Sequence, residues 1–194
     1  MKRVKLYDKE FAISIRHDQI QTAIGIVAQQ IREDMKNENI PVFLSILNGS
    51  FMFTSDLLKQ MDFNCEVSFI KLSSYSGTNS TGHVKELLGL NTDIRGRTVI
   101  IVEDIVDTGH TLVELFKILR QYQPKQIKVA TFLLKPDAYD KEIPIDYVGL
   151  KIPNDFIVGY GLDYNEIGRN LRNIYKICPP GNKPDAGAST DGAK

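Results

Sequence analysis

Glu103, Asp104 and Asp107 lead straight into Thr108-Gly109-His110-Thr111, so a run of carboxylates ends in a turn of small and hydroxyl-bearing residues. Gly109 lets the backbone curl tightly. A helix starting just after it presents unpaired N–H groups and the positive end of its dipole, a combination that binds anions. Thr108 and Thr111 add hydroxyl donors. Glu103 and Asp104 would repel a phosphate; they suit either the hydroxyls of a ribose or a hard divalent cation such as Mg2+. Asp107 is left to aim a carboxylate at whatever lies above the sugar. The chemistry these types suggest is a ribose 5-phosphate held with metal help. A chance acidic strand end followed by a Thr-Gly turn has the same letters, so the flanking elements must decide.

Those elements are legible. From Thr98 to Val102 the chain is β-branched and apolar, as in a strand buried on both faces. Leu112, Leu115, Phe116 and Leu119 then recur at the spacing of a helix with one apolar face. The acidic residues therefore fall where a strand hands over to a helix, the place where open α/β sheets bind ligands. Upstream, Asp18 with Gln21 has a capping-box pattern, opening a helix striped by Ile20, Ala23, Ile24, Val27 and Ile31 and ending near 37–39. Strands are predicted at 41–47 and 65–72, with a helix carrying Phe53, Leu57, Leu58 and Met61 between them. Further strands are expected at 84–90, 127–134, 146–152, 156–158 and 173–177. Residues 73–83 are polar and lack buried periodicity, as in a lid. Residues 181–194 carry no large apolar side chain, and 179–194 are read as a disordered tail. Strands alternating with helices predict an α/β fold: a mostly parallel twisted sheet flanked by helices.

With 194 residues the chain is long enough for one well-buried domain and short for two. Its 24 Lys+Arg balance 24 Asp+Glu, so no bulk charge points to nucleic acid or a membrane. The longest apolar stretches fall far short of a membrane span, and the basic start of the chain has no apolar run behind it, as a secretory signal would. Cys65 and Cys178 lack paired spacing and fall in predicted strands, so they read as buried small residues of a reducing cytoplasm. His17, His83 and His110 show no zinc spacing.

Val102 to Leu112 resembles the phosphoribosyl-pyrophosphate signature of type I phosphoribosyltransferases, and most closely that of the hypoxanthine-guanine branch. The resemblance runs from about Leu6 to Ile177. Leu47-Asn48-Gly49-Ser50 looks like that family's pyrophosphate turn, and Ser73-Ser74-Tyr75-Ser76 like the start of its mobile loop. Lys135 and the run from Phe156 through Tyr164 to Arg169 look like its purine pocket. The resemblance implies a single domain over 1–178, with a small hood built from the N-terminal segment and about 150–178. It implies a cytoplasmic, Mg2+-dependent homodimer or homotetramer. The implied reaction moves the 5-phosphoribosyl group from phosphoribosyl pyrophosphate to N9 of hypoxanthine or guanine.

Carried over residue by residue, the resemblance gives Glu103, Asp104, Asp107, Thr108, Gly109, His110 and Thr111 to ribose 5-phosphate. It gives Asn48, Gly49 and Arg169 to pyrophosphate, with Ser74 and Tyr75 closing over it. Lys135, Phe156, Ile157 and Asp163 go to the purine, and Glu103, Asp104 and Asp163 to the metal. Asp107 becomes the general base that takes the N7 proton, strengthened by the negative charge of neighbouring carboxylates. It could also cap the helix through the Gly109 N–H. Lys135 carries only donors, which suits a 6-oxo group and disfavours adenine's 6-amino group. Phe156 would stack on the purine, and the Ile157 carbonyl would accept from N1–H and guanine's 2-amino group, which ranks xanthine lower. One departure stands out: the position before Gly49 is commonly Lys or Arg in the family and is Asn48 here. Relatives carry a cis peptide bond at this turn, which places one at Leu47–Asn48. A transferase for xanthine or another base is the neighbouring alternative. A regulator that senses phosphoribosyl pyrophosphate without catalysis is a more distant one; Asp107, Lys135, Asp163 and Arg169 occurring together, with balanced charge, speak against it.

Overall fold

A strand flanked by two others and covered on both faces has no side chain left for water, and Val42–Ile46 is buried at every position. It is β3 of a chain that begins β1 (Arg3–Leu6), β2 (Lys9–Ile15) and α1 (His17–Asp34), and continues α2 (Phe51–Leu58), β4 (Glu66–Ser73) and β5 (Glu86–Leu88). Then come β6 (Thr98–Val106), α3 (His110–Arg120), β7 (Gln126–Leu134), β8 (Tyr147–Lys151), β9 (Ile157–Val158) and β10 (Ile174–Ile177). The computed structural model describes residues 3–73 and 86–179; the expected lid with Ser74 and Tyr75, His83, and the expected tail from 180 onward lie outside them. The main sheet has the order β5-β4-β3-β6-β7-β8, parallel except for the antiparallel edge strand β5.

Strand alternation divides the core in two. Phe43, Ile100, Val102, Ala130 and Phe132 pack with the apolar stripe of α1 and with Phe53 and Leu57 of α2. Val42, Leu44, Val99, Ile101 and Val129 pack with Leu112, Leu115 and Leu119 of α3. β6 runs on through Val106, so Glu103 and Asp104 are strand residues rather than turn residues. The period of two then sends Glu103 toward the α3 face, with Val99 and Ile101, and Asp104 toward the α2 face, with Ile100 and Val102.

Several local expectations are corrected. α1 is capped at Arg16, whose N–H is accepted by Gln19 Oε1 at 3.0 Å, not at Asp18 with Gln21. Gln21 instead donates to Asp56 across the interface with α2. The helix ends at Asp34 rather than near 37–39, because the polar run after Met35 has no apolar face left to bury. Cys65 and Cys178 lie just outside β4 and β10 and are half-buried free thiols.

The antiparallel order β1-β2-β10-β9 makes a second, smaller sheet from the two ends of the described chain. Phe11, Val158 and Tyr175 form its own core. Tyr160, just after β9, ties this sheet to the main one: its ring lies 5.2 Å from that of Phe132, and its hydroxyl donates to Asp56 at 2.8 Å. Burial pushes the Asp56 carboxyl up, but donors from Gln21, Lys59 and Tyr160 outweigh it and leave it below the usual carboxylate range. A carboxyl depressed in the fold stabilises it above the unfolded value and loses that contribution as pH falls through the folded one. Tyr160→Phe is expected to cost about 1–2 kcal/mol in urea unfolding, since Asp56 keeps its two other partners. An unchanged midpoint would show that ring packing alone makes the tie.

Candidate active site

The site is assembled where β6 and β7 end and where the second sheet reaches back to the turn before α2. Gly109 occupies the left-handed region at φ 76° and is the residue from which α3 starts, which is why no side chain other than glycine's is comfortable there. The turn after β6 borders a cavity of about 90 Å³ lined by Glu103, Asp107, Thr108, Gly109, His110 and Thr111. Thr108, His110 and Thr111 are exposed at its rim. Asp107 does not cap α3: among the described residues no side chain bonds to the helix start, so its N–H groups are available to a ligand.

Asp107 accepts from Lys135 Nζ at 2.7 Å. The pairing follows from the sheet, because the Lys135 N–H bonds the Val106 carbonyl at 2.9 Å and brings the ends of β6 and β7 side by side. The neighbour expected for Asp107 was other carboxylates; the neighbour found is a cation. Charge crowding acts instead on the acidic pair. Burial, and then the negative charge of Asp104, push the Glu103 carboxyl well above its usual range. Its Oε2 is buried without a hydrogen-bond partner among the described residues. Burial likewise pushes Asp104 up to about 6, with Arg169 opposing the shift and Asp163 adding to it.

On the α2 face the contacts are closer still. The Leu47–Asn48 peptide bond is cis, in the position where the family resemblance places one, and the Asn48 side chain is exposed. A Cβ built on Gly49 would stand 1.6 Å from Asp104 Oδ2 and 2.4 Å from its Cγ. A Cβ on Gly161 would stand 2.0 Å from the Gly49 carbonyl oxygen. Arg169 closes the group: it pairs with Asp163 at 2.7 Å, reaches Glu166 at 3.4 Å and donates to the Gly161 carbonyl at 2.9 Å. Gly49→Ala must therefore displace Asp104 or the turn itself. It is expected to cost about 1–3 kcal/mol of stability and to weaken pyrophosphate affinity in a calorimetric titration; unaltered affinity would take the turn out of the site.

The structure thus brings together Asp107 with Lys135, and Gly49, Asp104, Asp163 and Arg169 around a second focus. Phe156 stands 44% exposed beside Phe11 and Tyr164, with the Lys9 ammonium over its ring at 5.6 Å from the centroid. Ile157 is buried in β9. Asp163, expected at the purine and the metal, is engaged with Arg169 and with the Glu166 N–H. Gly161 was missed as a site residue; a glycine at its place in the Phe156–Tyr164 run was the available signal. Among the described residues no three His, Cys, Asp or Glu side chains gather as a metal cage. A donor set of one or two carboxylates is still what Mg2+ takes when substrate oxygens and water complete its shell, and the orphaned Glu103 oxygen fits that need.

A family model described as a phosphoribosyl transferase domain matches residues 16–165. The hypoxanthine phosphoribosyltransferase of Escherichia coli (strain K12) is 40% identical over 167 residues, 85% of this chain and 94% of that protein. The bifunctional protein TilS/HprT of Listeria monocytogenes is 40% identical over 168 residues, 86% of this chain, but the chain spans only 26% of its length. The crystal structure of a hypoxanthine phosphoribosyltransferase from Staphylococcus aureus aligns with a TM-score of 0.77 at 37% identity, covering 87% of this chain and 91% of that one.

Proposed function

The chain belongs to the phosphoribosyl transferase domain family, and on that premise we propose that it is a purine-salvage enzyme, a hypoxanthine-guanine phosphoribosyltransferase. It transfers the 5-phosphoribosyl group from phosphoribosyl pyrophosphate to N9 of hypoxanthine or guanine, giving IMP or GMP and pyrophosphate. The observation that carries this reading is the Asp107–Lys135 pair beside the phosphate turn. A 6-oxopurine attacking through N9 offers an acceptor at O6 next to a donor at N7–H. An ammonium beside a carboxylate is the complement of that edge.

The bond from the sugar's C1 to pyrophosphate breaks as the bond to N9 forms, leaving positive charge on the sugar and negative charge on the leaving group. Asp107 takes the N7 proton, and Lys135 donates to O6. Thr108 to Thr111 hold the 5′-phosphate through helix-start N–H groups and hydroxyls. Gly49 presents backbone to the pyrophosphate, and Arg169 meets it with a planar fork of donors. Asp104 and Asp163 on the α2 face are the residues that would hold Mg2+ at the departing pyrophosphate, supplying charge neutralisation there, and Glu103, on the opposite face of β6, would hold a separate ion. Phe156 stacks on the purine, and the Ile157 carbonyl reads N1–H. Ser74 and Tyr75 belong to the closing loop in this reading. We read 1–178 as one functional unit that acts in the cytoplasm as a homodimer or homotetramer. Among the described residues no helix is long and apolar enough to cross a membrane.

The test is pyrophosphate release with phosphoribosyl pyrophosphate and Mg2+, offering hypoxanthine, guanine, xanthine and adenine separately. Turnover with the first two, abolished by EDTA, is expected. Turnover with xanthine or adenine alone would overturn the purine pocket. Binding of phosphoribosyl pyrophosphate with no turnover on any base would make the protein a sensor.

A further inference from the structure

The phosphate turn faces an electrostatic deficit. A phosphomonoester near pH 7 carries close to two negative charges, and the cavity beside the turn is lined by two further carboxyl groups, Glu103 and Asp107, of which Asp107 already holds Lys135. Thr108, Gly109 and Thr111 are neutral, and His110 is the one titratable group of the turn. The two cations of the known foci are engaged elsewhere, Lys135 with Asp107 and Arg169 with Asp163.

The segment after β7 packs against the turn at Gly109. A Cβ built on Gly109 would stand 2.4 Å from the Tyr139 ring and 3.0 Å from Lys141 Cγ. The ring is anchored by its hydroxyl, which donates to the Ile143 carbonyl. The Lys141 stem is thus laid against Gly109, with only 21% of the side chain exposed, and its ammonium lies three bonds beyond the contact. That ammonium pairs with Asp140, its chain neighbour, whose carboxylate is 75% exposed. An ion pair with so exposed a partner contributes little to folding, so it does not explain why the stem is packed where it is. It is also readily exchanged for a stronger anion. The Asp140 carboxyl is held below its usual range chiefly by its hydrogen bond with Lys141.

We propose that Lys141 is a binding residue for the substrate's 5′-phosphate, leaving Asp140 for the phosphate when the turn fills. The inference rests on the phosphoribosyl reading of the turn and adds a ligand-binding side chain from outside the signature. Asp140 then acts as a placeholder that keeps the ammonium close to the turn while it is empty.

The test is calorimetric titration of the full chain with ribose 5-phosphate and, separately, with pyrophosphate. Lys141→Ala is expected to weaken ribose 5-phosphate binding about tenfold, the scale of one charge-assisted hydrogen bond. Pyrophosphate affinity should stay within about twofold of wild type. Lys141→Arg should restore the loss, Asp140→Asn should tighten ribose 5-phosphate binding, and added salt should shrink both effects. If wild type and Lys141→Ala bind ribose 5-phosphate equally, Lys141 has no such role and the phosphoribosyl reading stands. A variant that loses both ligands in parallel would make Lys141 structural and overturn the proposal. If wild type itself does not bind ribose 5-phosphate, the reading of the turn and the role of Lys141 fall together.

Discussion

Asp107→Asn is expected to lower turnover about 100- to 10,000-fold, the usual worth of a positioned general base, while leaving the fold nearly as stable as before. The two effects separate by magnitude. A loss of that size corresponds to about 2.7–5.5 kcal/mol in the barrier. The ion pair that the substitution breaks joins a Lys135 that is 13% exposed to an Asp107 that is 47% exposed. A pair open to water on one side contributes no more than about 1 kcal/mol, and asparagine retains an oxygen that accepts from Lys135. Urea unfolding alongside pyrophosphate release would therefore read them apart. Normal turnover per folded molecule with a collapsed midpoint would make Asp107 a structural residue.

Lys135→Ala should change which base is used rather than whether the sugar is bound. Removing a charged donor from O6 is expected to raise the KM for hypoxanthine about 10- to 100-fold, matching about 1.5–3 kcal/mol for a hydrogen bond to a charged group. Adenine's 6-amino group no longer meets a competing donor, so discrimination against adenine should fall. The KM for phosphoribosyl pyrophosphate should stay within about threefold, since the proposed pocket gives Lys135 to the base and not to the sugar. The variant also leaves Asp107 without its cation, so kcat is expected to respond less simply than KM. Identical base preference before and after the change would remove Lys135 from the pocket. A parallel loss of affinity for both substrates would instead indicate a misfolded β7 end.

The elements that carry chemistry were readable because each is written in a local rule. Thr98 to Val102 is apolar because the strand is covered on both faces, and Leu112 to Leu119 keeps helical period because α3 covers one of them. Gly109 sits at φ 76°, where glycine is at ease, and three acids at the end of an apolar strand point away from a purely packed role. Local rules also misled where a rule had two candidates. Asp18 and Gln21 had the letters of a capping box, but Gln21 is drawn to Asp56 on another helix. Cys65 and Cys178 looked like strand residues, but β4 and β10 pair one residue short of them.

What the sequence by itself determined is the sheet-to-helix handover at Glu103–Thr111, the parallel α/β layout and the family to which these belong. Only the tertiary structure decided how the charges are partnered. Alternation along β6 sends Glu103 and Asp104 to opposite faces, one toward the phosphate turn and the other against Gly49. Adjacent strand ends place Lys135 on Asp107, and the second sheet brings Arg169 and Gly161 back to the turn before α2. Periodicity along a chain reports which face a residue takes, whereas a charge's partner depends on distances between elements far apart in sequence. Those distances are set by packing, and no local pattern encodes them.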